Sequence, residues 1–155
     1  MAAARINVNR IVFIGAGNRA EALVRGMLAA RVCTAERLFV TDVRSERLAF
    51  FENEFQVKGL SNNEGAVRNA DVVVLAVKPQ VIGGVLDGFQ SALGHKPLVI
   101  SIAAGITTGW LEKSLGEGVR VVRAMPNTPA LVRSGAAAIC RGRWATDSDF
   151  NIAEA

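Results

Sequence analysis

Short runs of apolar residues recur along the chain, and helical patterns separate most of them. The runs stand at residues 11–14 (IVFI), 38–40 (LFV), 71–77 (DVVVLAV), 98–102 (LVISI) and 119–122 (VRVV). Nearly continuous apolar runs of this length are typical of strands that are buried on both faces of a parallel sheet. We therefore predict five central strands, with a short strand or turn at residues 57–60 and an edge strand at residues 135–140.

The intervals between these runs predict helices. They lie at residues 18–30, 45–55 and 63–69, in a segment opened by Pro79, and in one capped by Thr107 or Thr108. Ser45 is the predicted N-cap of the second helix, and a further helix is expected to begin near Thr146. Strands alternating with helices predict βαβ units. The predicted fold is α/β, a Rossmann-like, doubly wound, mostly parallel sheet.

Composition excludes several classes of protein. Of the 155 residues 50% are hydrophobic and 21% are charged, which predicts a folded chain of one domain rather than a disordered one. The net charge of +4 is spread along the chain, and Tyr is absent, so no basic, aromatic surface for nucleic acid is expected. A leader-like apolar core and a membrane-spanning run are both missing, which predicts a cytoplasmic protein without a membrane partner.

The residues that commonly bind metals are few. Cys33 and Cys140 lie far apart and outside any C-x-x-C pattern, so two reduced thiols are expected. His95 is the only histidine, and it stands in a Gly-His-Lys-Pro turn without neighbouring ligands. No metal site is predicted.

A glycine-rich segment follows the first predicted strand directly. Residues 15–20 (GAGNRA) fit G-x-G-x-x-G/A and precede the first predicted helix. The first glycine permits a tight turn, the second lets the backbone approach a pyrophosphate, and the helix N-terminus favours negative charge. Arg19 is predicted either to contact a phosphate or to face solvent. The predicted dinucleotide loop comprises Ile14, Gly15, Ala16, Gly17, Asn18, Arg19 and Ala20.

The second predicted strand ends in an acid followed closely by a base. Asp42 stands where dinucleotide folds place an acid for the adenosine ribose hydroxyls, a feature that favours NAD. Arg44 and Ser45 lie just beyond, where a 2′-phosphate would be bound, and they favour NADP. The residues alone leave both cofactors open.

Three later segments fall at the same edge of the predicted sheet. In residues 76–79 (AVKP), Lys78 either faces a ligand or lies on the surface. Residues 102–105 (IAAG) either admit a flat ring or pack closely against a helix. Residues 123–129 (RAMPNTP) are predicted to form a rigid loop rather than a helix or strand, because two prolines flank Asn127 and Thr128.

Together these motifs resemble the pyrroline-5-carboxylate reductase family. The resemblance runs from about Arg10 to the end of the chain, and residues 76–79, 101–105 and 123–129 are its most specific parts. The glycine loop is similar to the family's G-x-G-x-M-A, with Arg19 standing where methionine is usual.

The resemblance implies which residues hold a cofactor, with NADP(H) favoured and NAD(H) possible. It places the glycine loop on the pyrophosphate, and Asp42, Arg44 and Ser45 at the adenosine ribose. The further implied cofactor contacts are Asn63, Ala76, Val77, Lys78, Pro79, Ile102, Ala103 and Ala104. The implied substrate-side loop comprises Met125, Pro126, Asn127 and Thr128.

The resemblance also implies a reaction, the transfer of a hydride from the dihydronicotinamide to the C=N bond of 1-pyrroline-5-carboxylate, which yields L-proline. No residue here is identified as the catalytic acid. Residues 1–145 are expected to form the cofactor-binding domain. Residues 146–155 are expected to begin a connection to the family's helical dimerisation domain, which this chain lacks, so the isolated chain is expected to be inactive and the full-length enzyme to be a homo-oligomer.

Two alternatives remain open at this stage. One is a related reductase with another substrate, such as a deazaflavin-dependent NADP oxidoreductase or a 3-hydroxy-acid dehydrogenase. The other is a non-catalytic module that binds a dinucleotide. The motif at residues 123–129 counts against the first alternative.

Overall fold

The fold is built on a seven-stranded sheet. The computed structural model describes residues 6–126 and 137–155. The strands are β1 (Ile11–Ile14), β2 (Leu38–Thr41), β3 (Lys58–Leu60), β4 (Val72–Leu75), β5 (Leu98–Ser101), β6 (Arg120–Pro126) and β7 (Ala137–Arg141). Their order is β3-β2-β1-β4-β5-β6-β7, and all pairs are parallel except β6 with β7. The predicted doubly wound sheet and its edge strand are therefore confirmed.

Among the described residues, six α-helices connect or follow these strands. They are α1 (Asn18–Ala29), α2 (Ser45–Phe55), α3 (Asn63–Val67), α4 (Ile82–Asp87), α5 (Thr108–Leu115) and α6 (Asp147–Glu154), with 3₁₀ turns at Ala35–Arg37, Pro79–Val81 and Gln90–Ala92. Thr107 caps α5, as predicted, by accepting a hydrogen bond from the N–H of Trp110. Within the described part of the chain, no helix has the length and apolar character needed to cross a membrane.

Helices cover both faces of the sheet, which is why the central strands β1 and β4 are apolar throughout. On β1, Ile11 and Phe13 point to one face and Val12 and Ile14 to the other. The first face packs against α1, α2 and α6, and the second packs against α3, α4 and α5. The carboxyl ends of β1 and β4, whose connecting helices leave toward opposite faces, thus form the crevice where such folds bind ligands.

Two local predictions were wrong. Ser45 is the first residue of α2 rather than its N-cap, a position that Arg44 occupies without a capping side chain. Residues 123–126 form the end of β6 rather than a loop. Beyond Arg123 the strand pairs only with β7 among the described residues. Pro126, which has no backbone N–H, therefore does not have to donate a hydrogen bond to a second neighbouring strand. Asn127, Thr128 and Pro129 lie outside the described residues.

The last helix packs on the domain. Thr146 and Asp149 form a reciprocal capping box at the start of α6, which confirms the predicted helix start. Asp149 is buried and forms an ion pair with Arg120, the first residue of β6. Ile152 packs against the core beneath α1 and α2. The contacts of α6 therefore lie with the sheet.

Candidate functional site

The glycine loop lies against the carboxyl ends of three neighbouring strands. The N–H of Gly15 donates to the carbonyl of Thr41 on β2 (2.9 Å), and the carbonyl of Ile14 accepts from the N–H of Ala76 after β4 (2.9 Å). Gly15 has φ +102°, and a Cβ on it would stand 2.8 Å from the carbonyl oxygen of Ala76. Glycine is therefore required there by both backbone conformation and space.

The beginning of α1 offers backbone donors. Gly17 is its N-cap residue and supplies no capping side chain. The nearest atom to a Cβ placed on Gly17 would be Nη2 of Arg44, at 3.9 Å, so the backbone is open to close approach. Unsatisfied N–H groups at the start of a 12-residue helix, beside an arginine, have the chemistry of a phosphate site. The residues present therefore fit a dinucleotide pyrophosphate.

Asp42 connects this loop to Arg44. One of its carboxylate oxygens accepts from the N–H of Ala16 (2.9 Å) and from Nη2 of Arg44 (3.1 Å). The other oxygen accepts from the N–H (2.9 Å) and Nε (3.0 Å) of Arg44. Both oxygens are thus engaged within the protein, whereas the sequence assigned this acid to ribose hydroxyls.

The ionised form of Asp42 is strongly favoured. Burial, which leaves its side chain 9% exposed, acts to raise the pKa. The hydrogen bonds from the Arg44 side chain, from the N–H groups of Arg44 and Ala16, and the charge of Arg44 outweigh burial and lower the pKa to about 2. The carboxylate is therefore a permanent anchor for a guanidinium that remains half exposed.

A second arginine, Arg47, which was not predicted from the sequence, forms hydrogen bonds that hold the glycine loop in place. Nε of Arg47 on α2 donates to the carbonyl of Ala16 (2.6 Å), and its Nη2 donates to Glu21 on α1 (2.9 Å). The hydrogen bond from Arg47 lowers the pKa of Glu21. Its guanidinium also lies 4.7 Å from the ring centre of Phe50. No local motif marks Arg47, because its partners are 31 and 26 residues away.

Arg19 extends across the sheet edge. Its Nη1 donates to the carbonyl of Ile102, immediately after β5, over 3.0 Å. Arg19 was predicted either to contact a phosphate or to face solvent, and neither alternative included a hydrogen bond to this backbone carbonyl. Lys78, which precedes the turn at Pro79–Val81, is exposed at the end of β4. The structure thereby brings two cations to the β4–β5 side of the site.

The other predicted residues are placed as follows. Asn63 begins α3 and is half-buried, while its neighbour Asn62 caps that helix by accepting from the N–H of Gly65 (2.8 Å). Ala76 and Val77 are half-buried beside Gly15, Pro79 opens its 3₁₀ turn, and Ser45 is exposed. Ala103 is buried and Ala104 is exposed after β5, and Met125 lies on β6, two strands beyond β4. No cluster of metal-ligating side chains occurs among residues 6–126 and 137–155.

Comparison with known proteins places these features in context. Residues 10–105 match the family model described as NADP oxidoreductase coenzyme F420-dependent. The chain is 45% identical to a pyrroline-5-carboxylate reductase of Pseudomonas aeruginosa over 130 residues, which is 84% of this chain and 47% of that protein.

Solved structures agree with this similarity. A pyrroline-5-carboxylate reductase from Coxiella burnetii superimposes with a TM-score of 0.90 at 42% identity, over 96% of this chain and 55% of that one. The Plasmodium falciparum pyrroline carboxylate reductase with NADP bound gives 0.83 at 30% identity, over 97% of this chain and 54% of that one. The chain spans about half the length of the curated relatives that it matches.

Proposed function

The chain belongs to the NADP oxidoreductase (coenzyme F420-dependent) family, and from its similarity to pyrroline-5-carboxylate reductases we propose that it is the cofactor-binding part of such a reductase. The proposed reaction is the NADPH-dependent reduction of 1-pyrroline-5-carboxylate to L-proline. NADPH would supply the hydride that the C=N bond accepts. The contribution of this chain is to bind the cofactor and orient it.

The observation that carries the proposal is the arrangement around the glycine loop. Uncapped N–H groups at α1 would receive the pyrophosphate, and Gly17 lets the backbone approach it. Arg44, fixed on Asp42 and half exposed, would receive a 2′-phosphate. The carboxylate of Asp42 has no oxygen free of protein donors for ribose hydroxyls, which favours NADPH over NADH.

The remaining parts of the reductase are proposed from its relatives. Residues 1–145 would form the cofactor domain, and a further segment that supplies the substrate pocket would complete a full-length homo-oligomer in the cytoplasm. Asn63 would also contact the cofactor, and Ala76–Pro79 and Ile102–Ala104 would flank it toward its nicotinamide end. Met125, Pro126, Asn127 and Thr128 would face the substrate.

A titration of the chain with NADPH tests the cofactor part of the proposal. We expect the nucleotide fluorescence to change with a Kd below 1 mM, which is about the weakest affinity compatible with a cofactor site. Absence of any change at millimolar NADPH and NADH would refute the proposal. Little proline formation is expected from this chain alone, and strong turnover would contradict the need for a further segment.

Substituting Arg44 tests the choice of cofactor. We expect Arg44→Ala to weaken NADPH binding by about tenfold to a hundredfold, because a charge-assisted contact to phosphate is lost. NADH binding should stay unchanged or become stronger, since each oxygen of Asp42 then loses its bond from the Arg44 side chain, keeps one backbone donor and gains capacity to accept a ribose hydroxyl. Isothermal titration of both cofactors gives the ratio. The matched control is Arg68→Ala, which removes an exposed arginine that pairs with Glu64 and should leave both affinities unchanged.

A second candidate keeps the fold and the cofactor but changes the redox partner. The family model that matches residues 10–105 is described by coenzyme F420, a deazaflavin. Assays of the proposed full-length protein with pyrroline-5-carboxylate and with F420 separate the two candidates. We expect NADPH to be oxidised in the presence of pyrroline-5-carboxylate and not in the presence of F420.

A further inference from the structure

Arg19 reaches from the glycine loop to the far side of the candidate site. It is the second residue of α1, which follows β1, yet its Nη1 is bound to the carbonyl of Ile102 after β5. In the sheet, β4 lies between β1 and β5. The side chain therefore crosses the carboxyl end of β4, and the 3.0 Å hydrogen bond holds its guanidinium there although the residue is exposed.

The positive charge of this guanidinium is not neutralised by the protein. Within residues 6–126 and 137–155, no carboxylate lies within 4.0 Å of Arg19, whereas Arg44 and Arg47 are paired with Asp42 and Glu21. A guanidinium has five N–H donors, and the structure shows one of them bonded, to a neutral carbonyl. Arg19 thus presents a full positive charge above β4 and β5.

The position of this charge relative to Arg44 has a consequence for the cofactor. If the 2′-phosphate lies at Arg44 after β2, the nicotinamide extends toward β4 and β5, where Arg19 is anchored. We propose that Arg19 discriminates between the redox states of the cofactor by disfavouring the oxidised, positively charged nicotinamide against the neutral, reduced one. This inference rests on the proposed NADP(H) site.

The effect is expected to be moderate. Two like unit charges about 7 Å apart repel each other, and this repulsion changes an affinity about three- to tenfold when the effective dielectric constant lies between that of a protein surface and that of water. Because the group is exposed, salt should reduce the effect. Lys78 is also exposed at this edge, but its side chain forms no hydrogen bond within the described residues, so its charge is less closely fixed. Weaker binding of NADP⁺ would speed its replacement by NADPH and favour reduction.

Four proteins and three ligands test the inference. The 155-residue chain and its Arg19→Met, Arg19→Lys and Arg68→Met variants are titrated with NADPH, with NADP⁺ and with 2′-phospho-ADP-ribose, which has no nicotinamide. Methionine removes the charge but keeps an unbranched side chain, and lysine restores the charge. Arg68 is the control because it carries an exposed charge near the amino end of β4, whereas Arg19 lies at the carboxyl end of that strand.

We expect Arg19→Met to strengthen NADP⁺ binding about three- to tenfold relative to NADPH, with the affinity for 2′-phospho-ADP-ribose unchanged. Arg19→Lys and Arg68→Met should keep the wild-type ratio. The wild-type ratio should also shrink as NaCl is raised from low to high concentration, a measurement that needs no substitution.

Other results would overturn the inference in distinguishable ways. An unchanged NADPH to NADP⁺ ratio in Arg19→Met shows that the charge does not sense the nicotinamide. Equal weakening of all three ligands shows that Arg19 contacts a phosphate instead. If the wild-type chain binds none of them, the proposed function itself fails, and the inference fails with it.

Discussion

Replacing Gly15 with alanine should destabilise the domain by about 3 kcal/mol and abolish measurable NADPH binding. Two costs combine at this position. The φ of +102° is unfavourable for any residue with a Cβ, and that Cβ would stand 2.8 Å from the carbonyl oxygen of Ala76. The obstacle is backbone, so relief requires the glycine loop to move away from β4. Urea unfolding and NADPH fluorescence measure the two effects.

Two matched variants separate these costs. Gly116 has a similar φ of +106° but no atom within 4 Å of its Cβ position, so Gly116→Ala measures the conformational cost alone. Gly26 lies within α1 with open space around it, and Gly26→Ala should stabilise the helix by about 0.5–1 kcal/mol. If Gly15→Ala is no more destabilising than Gly116→Ala, the contact with Ala76 is not a constraint.

Replacing Asp42 with asparagine should lower stability at pH 7 by about 1–2 kcal/mol and weaken NADPH binding about tenfold. The carboxylate has a pKa of about 2 in the folded protein against an ordinary value of 3.8. The expected loss of stability is smaller than this difference in pKa alone implies, because Arg44, the partner of Asp42, is half exposed and solvent screens the pair. An amide keeps one acceptor oxygen and replaces the other with an NH₂ group, so whichever way it is turned it loses two of the four hydrogen bonds that the carboxylate accepts from Ala16 and Arg44.

The pH dependence of this effect has a definite sign. The pKa of Asp42 is depressed on folding, so its contribution is fully present above about pH 4 and is lost as the pH falls toward 2. Unfolding curves of the wild type and Asp42→Asn should therefore converge in acid. Glu64→Gln, which removes a half-exposed carboxylate paired with Arg68, should cost at most about 0.5 kcal/mol at pH 7. A constant difference between Asp42→Asn and wild type from pH 7 to pH 2 would contradict the ionic role.

The strands and the glycine loop were predictable because their signals are local. Residues 11–14 form β1 as predicted, since a run of four apolar side chains can be buried only where helices cover both faces of a sheet. The end of β6 was not predictable in this way. Pro126 is a strand breaker by itself, and only the antiparallel partner β7 makes the extended backbone favourable there.

The arginines show the same division at the candidate site. Arg44 was recognised as a phosphate candidate from its place after β2, but its attachment to Asp42 required the structure. Arg47 was missed entirely, since its contact with the glycine loop depends on how α2 packs beside α1. Arg19 is exposed, in keeping with one of its two predicted roles, but its bond to the carbonyl of Ile102 was not predicted.

The sequence by itself determined the doubly wound sheet, the glycine turn at its carboxyl edge and the similarity to a reductase, because periodicity and turn chemistry depend on neighbouring residues. Only the tertiary structure decided which oxygens and guanidinium groups meet. Asp42 holds Ala16 from 26 positions away, and Arg19 holds Ile102 from 83. Such partners are selected by the sheet order, which brings β2, β1, β4 and β5 side by side, and hydrogen bonds over about 3 Å form only after that order is established.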